Sequence, residues 1–322
     1  MRRLALIVSL TLWALPAEAQ FSTRPQAQPT LRTPTAPVQT QPAATPDGDL
    51  AFGAYQRGHF LTAFLEATKR IETTPDPEAM TLIAELYANG YGVPQDDAKA
   101  ISWYELAAQR GDRNALFALG MSYIEGRAGR PRDPNQARPF FEQAAAKGHR
   151  SATYNLGIMT LSGQGVPADP SGAARWFQAA ADLGSGDAQY AYGAMLKDGN
   201  GVDRDLRAAA RYMRAAADQD ITEAMIEYAI MLFNGQGTPR DEMAAAHYMR
   251  RAAFRGNPAA MNRFARMLAT GRGVTADPVL AAQWHLLGRQ LGANDDWLTD
   301  FVLKLDTVQR AAAERGLREW VK

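Results

Sequence analysis

One alanine constrains what this chain can fold into, because it returns at an almost fixed interval: Ala79, Ala115, Ala152, Ala188, Ala224 and Ala260, spaced 36, 37, 36, 36 and 36 residues apart. Other residue types keep the same register. Glycine pairs follow at Gly90/Gly92, Gly126/Gly129, Gly163/Gly165, Gly199/Gly201, Gly235/Gly237 and Gly271/Gly273. Four residues beyond each second glycine stands an acid: Asp96, Asp133, Asp169, Asp205, Asp241 and Asp277. A period in this range specifies a stacked array of small units that share a continuous core.

Ala152 to Asp187 gives the unit its physical reading. Ala152, Leu156, Gly157 and Thr160 fall at helical spacing and place small residues where another helix must approach, which predicts a first helix, A. Gly163 and Gly165 supply positive φ, end helix A and turn the chain back. Asp169 is an N-cap candidate, and Pro170 suits a first helical position, where no amide donor is missed. Helix B follows, with Ala173, Trp176, Phe177, Ala180 and Ala181 alternating small and large so that ridges interlock with neighbours. The aromatic three residues beyond the B-helix alanine recurs as Trp103, Phe140, Trp176, Tyr212, Tyr248 and Trp284. Two units depart from the pattern. The second carries an extra loop residue between Gly126 and Arg132, and the fourth replaces the closing glycine with Asp218-Gln219-Asp220.

The order A-xxx-L-G, G-x-G-V, D, A-xx-W-xxx-AA-xx-G, fullest in Ala152 to Gly184, resembles the Sel1-like repeat family, relatives of the tetratricopeptide repeats. The resemblance covers about two thirds of the chain. It implies an all-α fold, an α/α superhelix or solenoid of antiparallel helix pairs. The expected organisation is a signal peptide over 1–19, a disordered Pro/Gln/Thr-rich linker over 20–47 and an N-terminal capping helix pair over 48–78. Six repeats over 79–294 and C-terminal capping helices over 295–322 complete it.

The ends carry the cellular expectation. Met1 to Ala19 has two arginines, an apolar run from Leu4 to Leu15 and an A-x-A cleavage site at Ala17-Glu18-Ala19, which predicts a secretory signal cleaved after Ala19. The mature chain is then periplasmic or secreted, with no stable membrane insertion. Gln20 to about Asp47 has almost nothing to bury. Asp49 to Ile71 reads as an N-terminal cap, and Trp297, Phe301, Leu305, Leu317 and Trp320 as packing residues of the C-terminal one. A net charge of +1 gives no global basic field, so nucleic acid is not an expected partner. The absence of cysteine excludes thiolate metal ligands and thiol nucleophiles.

No chemistry emerges from spacing. His59, His149, His247 and His285 include no i, i+4 pair with a glutamate, and the glycine pairs lie between helices with no Gly-Lys-Ser/Thr behind them. No catalytic residue, cofactor or metal site is assigned. By analogy with tetratricopeptide arrays, the concave positions of the A helices fall at Phe117/Met121/Ile124, Tyr154/Ile158/Leu161, Tyr190/Ala194/Lys197 and Ile226/Ile230/Phe233. This apolar stripe fits two uses: core consumed between neighbouring helices, or a groove for an extended peptide or amphipathic helix. The candidate partner-binding residues are Phe117, Met121, Ile124, Tyr154, Ile158, Leu161, Tyr190, Ile226, Ile230 and Phe233. A basic cluster (Arg127, Arg130, Arg132, Arg138, Lys147, Arg150) and an acidic one (Asp218, Asp220, Glu223) could orient a charged partner. The resemblance implies a non-enzymatic exported scaffold or adaptor that binds an envelope protein or peptide. The alternative is a cell-wall or polysaccharide-related hydrolase, or a carbohydrate-handling scaffold.

Overall fold

The computed structural model describes residues 49–320. The expected signal peptide and linker lie outside them. Among the described residues there are sixteen α-helices and no strand. A capping pair, α1 (Leu50–Gln56) and α2 (Phe60–Thr73), precedes six repeats. Their A helices are α3 (Pro77–Asn89), α5 (Arg113–Glu125), α7 (Arg150–Ser162), α9 (Gly186–Asp198), α11 (Thr222–Asn234) and α13 (Pro258–Thr270). Their B helices are α4 (Asp97–Gln109), α6 (Pro134–Ala146), α8 (Pro170–Asp182), α10 (Leu206–Asp218), α12 (Glu242–Phe254) and α14 (Pro278–Gln290). Two further helices, α15 (Asp296–Lys304) and α16 (Thr307–Trp320), close the array. Each helix from α1 to α14 packs on the next in sequence, and α15 and α16 both lie against α14. No described helix is long and apolar enough to cross a membrane.

The caps explain the uniform helix length. Asp96, Asp133, Asp205, Asp241 and Asp277 each accept a hydrogen bond from an amide of the first B-helix turn. Asp169 is the exception: its carboxylate leans over Gly172, 3.8 Å from Arg175, and caps nothing. The second loop glycine does more than turn the chain. At Gly237 and Gly273, where φ is 70° and 72°, an added Cβ would overlap the main-chain carbonyls of Leu206 and Glu242. The loop of one repeat therefore seats directly on the B-helix start of the repeat before it. In repeat two the inserted residue folds into a 3-10 turn, Arg127–Gly129, and nothing lies within 4 Å of a Cβ at Gly129. In repeat four Asp220 takes the left-handed conformation of the missing glycine (φ 63°), and Arg251 holds its carboxylate at 2.7 Å.

Within each repeat, size is matched across the helix pair. Gly120 and Gly157 lie under the rings of Phe141 and Phe177, both fully buried, and a Cβ would stand 2.5 Å and 2.6 Å from them. One and two repeats after Gly193/Met213, the pairs become Ala229/Met249 and Ala265/His285, all buried. Of the two adjacent aromatics, Phe177 fills the space between the two helices of repeat three. Trp176 is half-buried against the neighbouring Phe141 cluster. At the C-terminal end, Leu298, Leu305 and Leu317 are buried, while Trp320 covers Trp284 at 4.9 Å and stays partly exposed.

Candidate functional site

The A-helix stripe is mostly interior. Phe117, Met121, Tyr154, Ile158, Ile226, Ile230 and Phe233 are buried, and Ile124, Leu161 and Tyr190 are half-buried. Tyr154 tilts against Phe177 at 5.6 Å, and Lys197 pairs with Glu227 of the next A helix at 2.8 Å. Several members of the charge clusters are paired as well. Arg130 reaches Glu105 at 2.8 Å and Arg138 reaches Glu142 at 2.8 Å, while Asp218 accepts from the Tyr248 hydroxyl at 2.7 Å.

The same register carried one repeat outward changes character. The positions of Phe117, Met121 and Ile124 become Thr81, Glu85 and Ala88 in α3, and the stripe turns polar. Here the structure holds a cavity of about 390 Å³ between the N-terminal cap and the first two repeats. Asp49, Ala51 and Phe52 of α1 with Arg70 of α2 form one side. The first turns of α3 bring Glu78, Thr81, Leu82 and Glu85, the α4–α5 turn brings Arg110 and Asp112, and the start of α5 brings Arg113 and Asn114, with Lys147 from the turn after α6.

Two interactions fix the walls. Arg70 pairs with Asp49 at 2.9 Å and also with Asp76, tying the caps of α1 and α3 together. Asp112, buried, accepts from the Thr81 hydroxyl at 2.9 Å and from the Ala115 amide at 2.6 Å, so one carboxylate both caps α5 and joins it to α3. Glu85 is half-buried as a residue with its carboxyl withdrawn from solvent, and burial, then the charge of Asp112, push it up to about 7. A hydrogen bond from Tyr55 acts the other way and does not offset them. Burial and the Asp76 carboxylate likewise raise Glu78.

Two histidines have structural work. His149 caps α7, accepting from the Ala152 amide at 3.1 Å, and stacks on Phe117 at 4.5 Å. Burial and then Arg113 lower it to about 4. His285 occupies the core position that holds Phe141 and Phe177 elsewhere, contacting Asn262 at 3.0 Å and Thr299 at 3.1 Å to link repeat six to α15. No group of three metal-ligating side chains exists among the described residues. The pocket leaves no mark in the apolar stripe, which runs through repeats two to five and turns polar at Thr81 and Glu85. Its partners, moreover, come from turns roughly one repeat apart, and no local motif joins Thr81 to Asp112.

Stacked, capped helical hairpins with loops seated on the preceding unit define a repeat-scaffold protein. Six consecutive matches to the Sel1 repeat cover residues 77–112, 113–149, 150–185, 186–221, 222–257 and 258–292, and the chain belongs to the Sel1 repeat family. A Sel1 repeat protein from Oxalobacter formigenes is similar at 29% identity and a TM-score of 0.66, over 75% of this chain and 98% of that one. A protective antigen present in uropathogenic Escherichia coli strains, displaying an SLR fold, aligns at 20% identity and a TM-score of 0.44, over 84% and 82% of the two chains. No curated protein matches the chain. A Sel1 repeat scaffold is a construction consistent with protein–protein interaction.

Proposed function

We propose that this chain is an exported, non-enzymatic scaffold of the cell envelope, and that it takes a protein or peptide partner at the N-terminal end of the A-helix face. The charged cavity around Glu85 carries the reading. It is the place where the apolar row gives way to Thr81 and Glu85, which line one cavity with Arg110, Arg113 and Lys147. Ile124, Leu161 and Tyr190, half-buried farther along the same row, extend the contact surface. The leader pattern of Met1 to Ala19 supports export.

Affinity capture from envelope extract tests the reading. The mature chain should retain a partner that is lost with Glu85→Gln and Lys147→Glu, and kept with Arg250→Glu on the exposed side of α12. Capture unchanged by both pocket substitutions would contradict the assignment of the site.

A further inference from the structure

The Glu85 pocket holds charge of both signs, and part of that charge forms no ion pair among the described residues. Asp49 and Arg70 are paired with each other, and Asp112 is held by the Thr81 hydroxyl and the Ala115 amide. Among the described residues Glu78 and Glu85 on α3 form no ion pair, and the Glu85 carboxyl is held by the Tyr55 hydroxyl alone. The cations on the facing wall form none either: Arg110 donates to the Leu106 carbonyl at 3.1 Å, and Arg113 to the Lys147 carbonyl at 3.4 Å. Lys147 is exposed at the rim.

Ligand charge follows from this layout. A simple anion would meet Glu78 and Glu85, and a simple cation would meet three basic groups, so each is opposed by half of the lining. A ligand with an ammonium group at one end and a carboxylate at the other satisfies both walls. The volume suits two or three residues of extended peptide, and Ala51, Phe52 and Leu82 give it apolar contact. Charge-assisted hydrogen bonds in a partly dehydrated cleft then supply orientation.

We propose that this pocket binds a short zwitterionic peptide, with its ammonium group against Glu78 and Glu85 and its carboxylate against Arg110, Arg113 and Lys147. The inference rests on the partner-binding reading above and narrows it to peptide ends brought together in one cavity.

Isothermal titration of the mature chain with dialanine, N-acetyl-dialanine and dialanine amide tests it. Free dialanine should bind, and blocking either end should weaken binding about tenfold or more. Glu85→Gln should reduce the discrimination against N-acetylation, and Lys147→Gln should reduce the discrimination against amidation. Both variants should melt as cooperatively as the parent. No heat with dialanine at about 1 mM, or equal binding of the blocked forms, would overturn the proposal. If partner capture stays sensitive to the pocket substitutions while dialanine fails, the zwitterion assignment falls and the scaffold reading stands. Dialanine binding without any partner capture would give the reverse.

Discussion

Gly157 and Phe177 permit a test of the packing rule that sets the distance between the two helices of a repeat. A Cβ at Gly157 would stand 2.6 Å from Cδ1 and Cε1 of Phe177, a fully buried ring. Gly157→Ala therefore sets two effects against each other. Alanine in a helix interior is favoured over glycine by about 1 kcal/mol. Displacing a packed ring costs about 1–3 kcal/mol, so the net loss should be about 0–2 kcal/mol. Phe177→Met is nearly volume-conserving and should cost less than about 1.5 kcal/mol. The double variant reproduces the Ala229/Met249 pair of repeat five, both buried. With the ring edge gone, the alanine should stabilise, giving a favourable coupling of about 1–3 kcal/mol. Urea unfolding of the four proteins measures it, provided their m-values agree. Additivity within about 0.5 kcal/mol would refute the claim that glycine is there to admit the ring.

Two ionisable groups should give stability opposite pH slopes. Burial, then the Asp112 carboxylate, raise Glu85 to about 7, so its penalty is absent below about pH 4.5 and grows to about 3 kcal/mol as pH rises through 7; Glu85→Gln should remove it. His149, lowered to about 4, makes stability fall as pH drops from about 6.5 to 4, and His149→Asn should flatten that limb in the same chemical-denaturation series. Gly256→Ala, with φ 84° and open space, should cost about 1–2 kcal/mol, whereas Gly237→Ala should cost more because it also strikes the Leu206 carbonyl; equal losses in urea melts would contradict the loop seat. N-terminal sequencing of the exported protein should begin at Gln20, and a chain retaining Met1 would contradict the export reading.

What was legible in the sequence is what depends on backbone stereochemistry. Positive φ selects glycine at Gly237 and Gly273, and a free helix amide selects aspartate at Asp205 and Asp241, so register and helix bounds could be read residue by residue. Side-chain destination was harder. Trp176 and Phe177 are adjacent aromatics, and only the opposing Gly157 tells which of them enters the pair; its Cβ-less surface is the signal. An apolar row such as Tyr154, Ile158 and Leu161 reads alike whether it faces a neighbouring helix or a partner, and burial distinguished its members. The pocket was hidden for another reason. Arg70 of the cap, Glu85 of repeat one and Lys147 of repeat two belong to different units, and only stacking brings them around one cavity.

The claim that recognition occurs at the N-terminal cavity is tested most directly by site-specific photocrosslinking in the intact envelope. A photoreactive residue at Asn114, on the cavity wall, should give a covalent adduct with a partner, and the same residue at exposed Gln178 on α8 should give none. Adducts from position 178 with none from position 114 would contradict the account.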